Sequence, residues 1–304
     1  MAGPARPPLP HRVRAHAAEV VAAARHVRID EEALDAIDLE PARRFAEEDA
    51  PDPVRHFTSA DGDPADVADY VLALNAVNFG SGWFPTLRKR PDSSGYWTVA
   101  WGLADQARRR GPWSPAELRR LTADDVAVAL DQPAGHPLVA LYAEALRALG
   151  RWLGRRRALD VIHAADGSAA TLAEALVAGM PFYRDHGLYK RAQILGADLD
   201  TWGLAELRDL DELTMFADNL VPHVLRCAGV LVYDDALTAT IDAGHLLPFH
   251  RAEHEVRCSA LHAVERLSAR SGVAPRHLDR WLWHTGQRPE IKAHPRHRCR
   301  TVFY

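Results

Sequence analysis

Cysteine is scarce in this chain. Three occur among 304 residues, at Cys227, Cys258 and Cys299. They are odd in number and far apart, so neither a disulfide framework nor a zinc-type spacing can be read from them. A reducing, cytoplasmic compartment is the expectation that follows. Long apolar runs are missing, which argues against a membrane span. Excess positive charge is missing too: 37 Lys and Arg stand against 41 Asp and Glu, a net charge of −4. Long nucleic acid is therefore not an expected partner, because such binders usually carry a basic face. A small anionic ligand needs only one local basic pocket and stays open. No Gly-rich phosphate loop, G-x-S-x-G elbow or dinucleotide fingerprint is present. The sixteen histidines do not form H-E-x-x-H. His250, His254 and His262 are spaced compatibly with a helix, with Glu253 and Glu255 nearby, yet no third ligand stands at a persuasive distance. No metal and no cofactor are expected.

Strand signals are few. Trp97–Trp101 and Thr301–Tyr304 are the candidates. Helical signals dominate. Ser114-Pro115-Ala116-Glu117 has the N-cap, first-turn proline and back-reaching Glu of a capping box. Thr171 to Glu174 repeats that pattern, with Gly179 as a stop. Leu138, Leu141, Tyr142, Ala145, Leu146, Leu149 and Leu153 recur at helical spacing, as do Val256, Ala260, Leu261, Val264 and Leu267. A short helix over His277 to His284 carries Leu278, Trp281 and Leu282. Pro85 to Gly95 and Asp160 to Ser168 read as loops. The Arg- and Ala-rich N-terminus lacks the apolar core and cleavage site of a secretion signal. The expected architecture is mainly α with a minor β element: a flexible tail over 1–11 and one domain over 12–304.

Four stretches could carry chemistry. In Leu213-Thr214-Met215-Phe216-Ala217-Asp218, read as helical, the carboxylate of Asp218 sits among apolar neighbours and is partly desolvated unless paired. Such an anion suits glycosidic chemistry, where departure of a base leaves an oxocarbenium-like sugar. The plainer alternative is a capping Asp, or one ion-paired to Arg226 or Lys190. In Tyr189-Lys190-Arg191-Ala192-Gln193, two cations about 100° apart cannot share one narrow solvent stripe. One of them could hold a phosphate; two solvated charges beside a core helix is the alternative. In Asp279-Arg280-Trp281-Leu282-Trp283, an acid and two indoles could hold the edge and face of a flat heterocycle, or simply pack a core. In Asn75 to Phe84, a helix ends in a Gly-rich turn crowded with aromatics.

Taken together, and with Pro222-His223-Val224-Leu225, Gly229-Val230-Leu231-Val232-Tyr233, Glu255-Val256-Arg257-Cys258-Ser259, His262-Ala263-Val264-Glu265 and the tail His297-Arg298-Cys299-Arg300-Thr301-Val302-Phe303-Tyr304, these motifs resemble the queuosine salvage family, the queuosine 5′-phosphate N-glycosylase/hydrolases. The resemblance runs over roughly residues 15 to 304. It implies a fold similar to helical DNA glycosylases and a hydrolase that releases queuine from queuosine 5′-phosphate, for reuse in tRNA modification. It implies Asp218 as the catalytic acid, nucleophile or electrostatic stabiliser. It implies substrate contacts at His56, Asn78, Phe79, Phe216, Asp279 and Trp281, and at His284 where the family often has an acid. Trp281 stands where the family often has Tyr. Lys190 or Arg191 is the expected phosphate contact. The implied partner is a small molecule, with neither long nucleic acid nor membrane, and a monomer is expected. The rival readings are a nucleic-acid base glycosylase, a base-binding module, and a nucleosidase for ordinary purine nucleotides.

Overall fold

The computed structural model describes residues 6–45 and 50–304. It is mainly helical, with one small two-stranded sheet among the described residues. The chain falls into two compact units: Met1–Asp49, Asp185–Gln193 and Asp209–Arg300 form the first, and Ala50–Arg184, Ile194–Arg208 and Thr301–Tyr304 the second.

The first unit is organised on the helix Arg251–Ser271, which buries Val256, Ala260, Leu261, Val264 and Leu267 as its periodicity demands. Each such side chain, fully buried, contributes about 1.5–3 kcal/mol for the larger aliphatics. Helices Leu9–Ala22, Val221–Cys227 and Pro275–Thr285 pack on it. Leu9–Ala22 starts inside the stretch expected to be a tail; residues 1–5 lie outside the described residues. Strands β1 (Val27–Ile29) and β2 (Leu231–Tyr233) pair antiparallel, Arg28 opposite Val232. These are not the strands expected from sequence. Each is three residues long, too short for an alternating pattern to register.

The second unit contains the helix Pro137–Leu153, with Leu138, Tyr142, Leu146, Leu149 and Leu153 buried on one stripe. The capping box at Ser114 forms as expected, Ser114 accepting from the Glu117 N–H and Glu117 reaching back to the Ser114 N–H. Three expectations need correction. Trp97–Trp101 is not a strand but part of the helix Gly95–Arg110, capped by Ser94 and closed by Arg108, Arg109 and Arg110 where cations favour the helix C-terminus. A five-residue apolar run does not distinguish strand from helix; its flanks did. The helix at Ala169–Gly179 starts three residues earlier than read, capped by Ser168 rather than Thr171. Part of the expected loop at 160–168 is the end of the helix Ala158–Ala164.

Thr301–Tyr304 is not a strand either. Tyr304 is buried, and its carbonyl accepts the Gly80 N–H at 2.8 Å. Gly80 has φ +103°, and a Cβ there would stand 2.4 Å from Leu138 Cδ1. Only glycine allows that turn to approach the helix so closely. Among the described residues no helix is long and apolar enough to cross a membrane.

Candidate active site

Within the first unit the segment Leu213 to Leu220 is extended and irregular, not helical as read from sequence. Almost every residue of it is tied down. Thr214 exchanges hydrogen bonds with the buried Gln193 amide, its N–H donating to Oε1 at 3.1 Å and its hydroxyl accepting from Nε2 at 2.9 Å. The Phe216 N–H donates to Asp279 Oδ1 at 3.0 Å. The Ala217 carbonyl accepts two bonds from the Arg257 guanidinium, at 2.9 and 2.8 Å. The Asn219 amide donates to the His297 carbonyl at 3.1 Å. A loop anchored on both sides in this way holds the residue between, Asp218, with the rigidity of a helix or strand.

Asp218 itself is half-buried. Its Oδ1 accepts the N–H groups of Leu220 at 2.7 Å and Val221 at 3.1 Å, at the start of the helix Val221–Cys227. This explains why the segment is not helical: Asp218 turns the chain and Pro222 fills the first turn, where a missing N–H costs nothing. The capping alternative is therefore realised, but through one oxygen only. Oδ2 has no hydrogen-bond or ion-pair partner among the described residues. The ion-pair alternative fails for Arg226, which pairs with Asp242 at 2.8 Å.

Asp279, on the helix Pro275–Thr285, is buried. Burial, and next the nearby Asp218 carboxylate, push its pKa well up; the Phe216 N–H and Lys190 pull the other way. Burial thus disfavours the ionised form of Asp279, and the neighbouring carboxylate adds to that effect. Lys190 and Arg191 open the helix Lys190–Thr201, and both are buried rather than solvated. Lys190 is near enough to influence Asp279.

Trp281 is half-buried and stands about 200° around the helix from Asp279, with Trp283 four residues on from that acid. His284 is exposed and packs its ring on Phe45 and Trp283, centroids 4.9 and 5.3 Å away. Phe216 is buried at 4% exposure.

The remaining expected contacts belong to the second unit. His56 is buried in a ring of aromatics, with centroid distances of 5.3 Å to Trp97 and 5.0 Å to Trp202, and its Nε2 lies 3.4 Å from the Tyr96 hydroxyl. Asn78 is half-buried just past the helix Pro64–Ala76. Phe79 is buried, stacked on Phe182 at 5.9 Å and edge-on to Tyr142 at 5.0 Å, while the Tyr142 hydroxyl donates to its carbonyl. Its ring serves the core.

Three residues escaped the sequence reading. Asp185 and Arg257 are buried and joined by two hydrogen bonds of 2.9 and 2.6 Å, and Arg257 also lies 3.7 Å from Glu253. An Arg inside a long buried helix stripe was the available signal, because an unpaired guanidinium cannot be buried. Arg296 is the third: half-buried, its pKa lowered by burial and supported by the charge of Asp218. Only its place in the basic run from Arg296 to Arg300 hinted at it.

Comparisons with known proteins place the chain in a family. A protein of Sphaerobacter thermophilus named queuosine 5′-phosphate N-glycosylase/hydrolase is 35% identical over 314 aligned positions, covering 94% of this chain and 95% of the relative. A protein of the same name from Nematostella vectensis is 30% identical, covering 78% of this chain and 81% of its own. One from Bos taurus is 31% identical over about half of each chain, 48% and 51%. The family model described as queuosine salvage protein matches residues 56–304, a span that takes in Asp218, Asp279 and the loop between Asn78 and Phe84, and on that match the chain belongs to the queuosine salvage protein family.

Proposed function

We propose that this chain hydrolyses the N-glycosidic bond of queuosine 5′-phosphate, releasing queuine and leaving ribose 5-phosphate. Family membership and the shared name of relatives covering nearly the whole chain support the activity. The observation that carries the site assignment is the carboxylate of Asp218: rigidly held through Oδ1, with Oδ2 unengaged among the described residues.

The reaction needs a fixed anion near the anomeric carbon. As the C–N bond breaks, its electron pair leaves with the base and positive charge spreads over the ribose. A preoriented carboxylate in a partly water-free site stabilises that charge without having to reorganise. The queuine ring is a deazapurine without N7, so the leaving base cannot be eased out by protonation there. Support of the sugar cation then carries a larger share of the barrier. Water adds to the anomeric carbon, and its proton completes the departing base. Asp279 is assigned to the amino and imino edge of the base, whose donors suit a buried carboxylate that has only one backbone partner among the described residues. Lys190 and Arg191 are assigned to the phosphate. For the second unit, His56 and Asn78 are assigned as substrate contacts on family resemblance. None of the three cysteines forms a disulfide among the described residues, in keeping with a reducing compartment, and we take the active form to be a monomer formed as one domain over 12–304.

The test is Asp218→Asn. The amide oxygen can still accept from Leu220 and Val221, so the fold should persist. Turnover of queuosine 5′-phosphate is expected to drop at least about 100-fold, roughly 2.7 kcal/mol of transition-state support, with KM little changed. Retention of more than about a tenth of the wild-type kcat, a loss under roughly 1.4 kcal/mol, would remove Asp218 from the chemistry. Guanosine 5′-monophosphate offered in parallel should release guanine far more slowly than queuine is released; equal rates would point to a general purine nucleosidase.

A further inference from the structure

The first unit holds a second cluster of chemically able side chains that the glycosidic reaction does not use. His254 and Cys258 are one turn apart on the helix Arg251–Ser271, and His16 faces them from the helix Leu9–Ala22. One ligand atom from each lies within 4.8 Å of the other two. Sequence spacing pointed to His250 and His262 as companions of His254; the fold supplies His16 and Cys258 instead. We propose that His16, His254 and Cys258 form a binding site for a zinc-class transition-metal ion, with a fourth position left to water or a small ligand.

The donor set fits that class. Two imidazoles and one thiolate are ligands for zinc and copper, and unsuited to magnesium or calcium, which take oxygen. The two imidazoles are close to the spacing an ion requires. The two Nε2 atoms are 2.8 Å apart. On a tetrahedral ion with bonds of about 2.0–2.1 Å, two nitrogens stand roughly 3.3 Å apart, so the rings need to open by only about 0.5 Å.

The His254 ring is ready to make that adjustment. Its Nδ1 is buried and has no hydrogen-bond partner among the described residues, so no hydrogen bond but the one to His16 holds the ring. His16 is placed by close approach. Gly187, at φ +92°, lies against it, and a Cβ there would stand 2.5 Å from His16 Cδ2. The positive charge beside the cluster is partly compensated. Arg257 is the adjacent positive group, but it is bound to Asp185 and lies near Glu253, so two carboxylates surround one guanidinium. Metal binding would displace the Cys258 thiol proton.

The full chain, stripped with a chelator and dialysed, should be titrated with Zn2+ against a chromophoric competitor, and separately with Co2+. The expected result is one saturable site per chain, a rise in Tm on adding Zn2+, and a thiolate-to-cobalt charge-transfer band. Cys258→Ser should abolish the band. Because Cys258 is buried and that variant could unfold, His16→Ala provides the second arm: it lies on a half-buried helix surface and should weaken zinc binding at least about tenfold. His250→Ala, exposed and outside the cluster, should change nothing. Absence of saturable binding, binding without the thiolate band, or unchanged zinc affinity in folded His16→Ala would each overturn the proposal.

Discussion

Two acidic regions lie close together along the first unit, and they are handled in opposite ways. At Asp185 both carboxylate oxygens are engaged by the Arg257 guanidinium, and Oδ2 also accepts the Lys190 N–H at 3.3 Å. At Asp218 and Asp279 only one oxygen of each has a backbone partner among the described residues, and the Asp218 charge raises the Asp279 pKa rather than lowering it. A carboxylate whose lone pairs are all spoken for is part of the architecture. One that is rigidly held yet partly unsatisfied has free-energy cost that a substrate can relieve. The two regions are linked: Arg257, neutralised by Asp185, is the same group that grips the Ala217 carbonyl next to Asp218.

The largest effect should come from breaking the satisfied region. Asp185→Ala leaves Arg257 buried with its main counter-charge gone. Removing one partner of a buried pair costs about 3–5 kcal/mol, a large fraction of the stability of an ordinary domain. Denaturant unfolding monitored by tryptophan fluorescence should show a midpoint shifted strongly down, and turnover should fall as the Asp218 loop loosens. A shift below about 1 kcal/mol would mean that this pair is not what holds the loop.

Asp279→Asn probes the unsatisfied region, with pH as the lever. The folded state raises the Asp279 pKa, so it binds the proton more tightly than the unfolded chain does. Wild-type stability from this group is therefore fully present below the ordinary carboxylate range and is lost as pH rises through the raised value. The asparagine variant has no proton to lose, so it should gain on wild type as pH increases. Substrate binding should show the reverse dependence. The base edge offers donors to the ionised carboxylate, so wild-type affinity should strengthen with pH over the interval in which Asp279 titrates, and that slope should vanish in the variant. A wild-type KM that is flat with pH, together with an unchanged stability difference, would place Asp279 outside the site.

How far the sequence carried this comparison depends on what each residue's environment owes to neighbours in the chain. The helices Pro137–Leu153 and Arg251–Ser271 were legible because one stripe of apolar residues repeats over several turns. The acid in Thr-Met-Phe-Ala-Asp was legible through family resemblance, and its neighbourhood was not. Capping by Asp218 leaves a second role open to it, since only its Oδ1 takes part. The burial of Arg191 and Lys190 was missed because it is decided by packing against segments remote in sequence. The partnership of Asp185 with Arg257 spans 72 positions and leaves no local pattern. The short strands β1 and β2 were missed for the same reason, since their pairing joins residues about two hundred positions apart.

The smallest expected effect completes the scale. Arg88 and Asp131, in the second unit, form an ion pair at 3.1 Å with side chains 60% and 75% exposed. Water already solvates both charges, and the pair must hold two mobile side chains in one arrangement, so its net contribution should be close to zero. Arg88→Ala leaves the backbone bond from the Arg88 N–H to Gln132 in place, and should move the unfolding free energy by no more than about 0.5 kcal/mol, less still in high salt. The distances in this pair and in Asp185–Arg257 are similar, so the contrast between the two variants isolates burial. If Arg88→Ala cost as much as Asp185→Ala, distance rather than desolvation would be ranking these pairs, and the inference that a partly unsatisfied buried acid marks the reactive region would lose its physical basis.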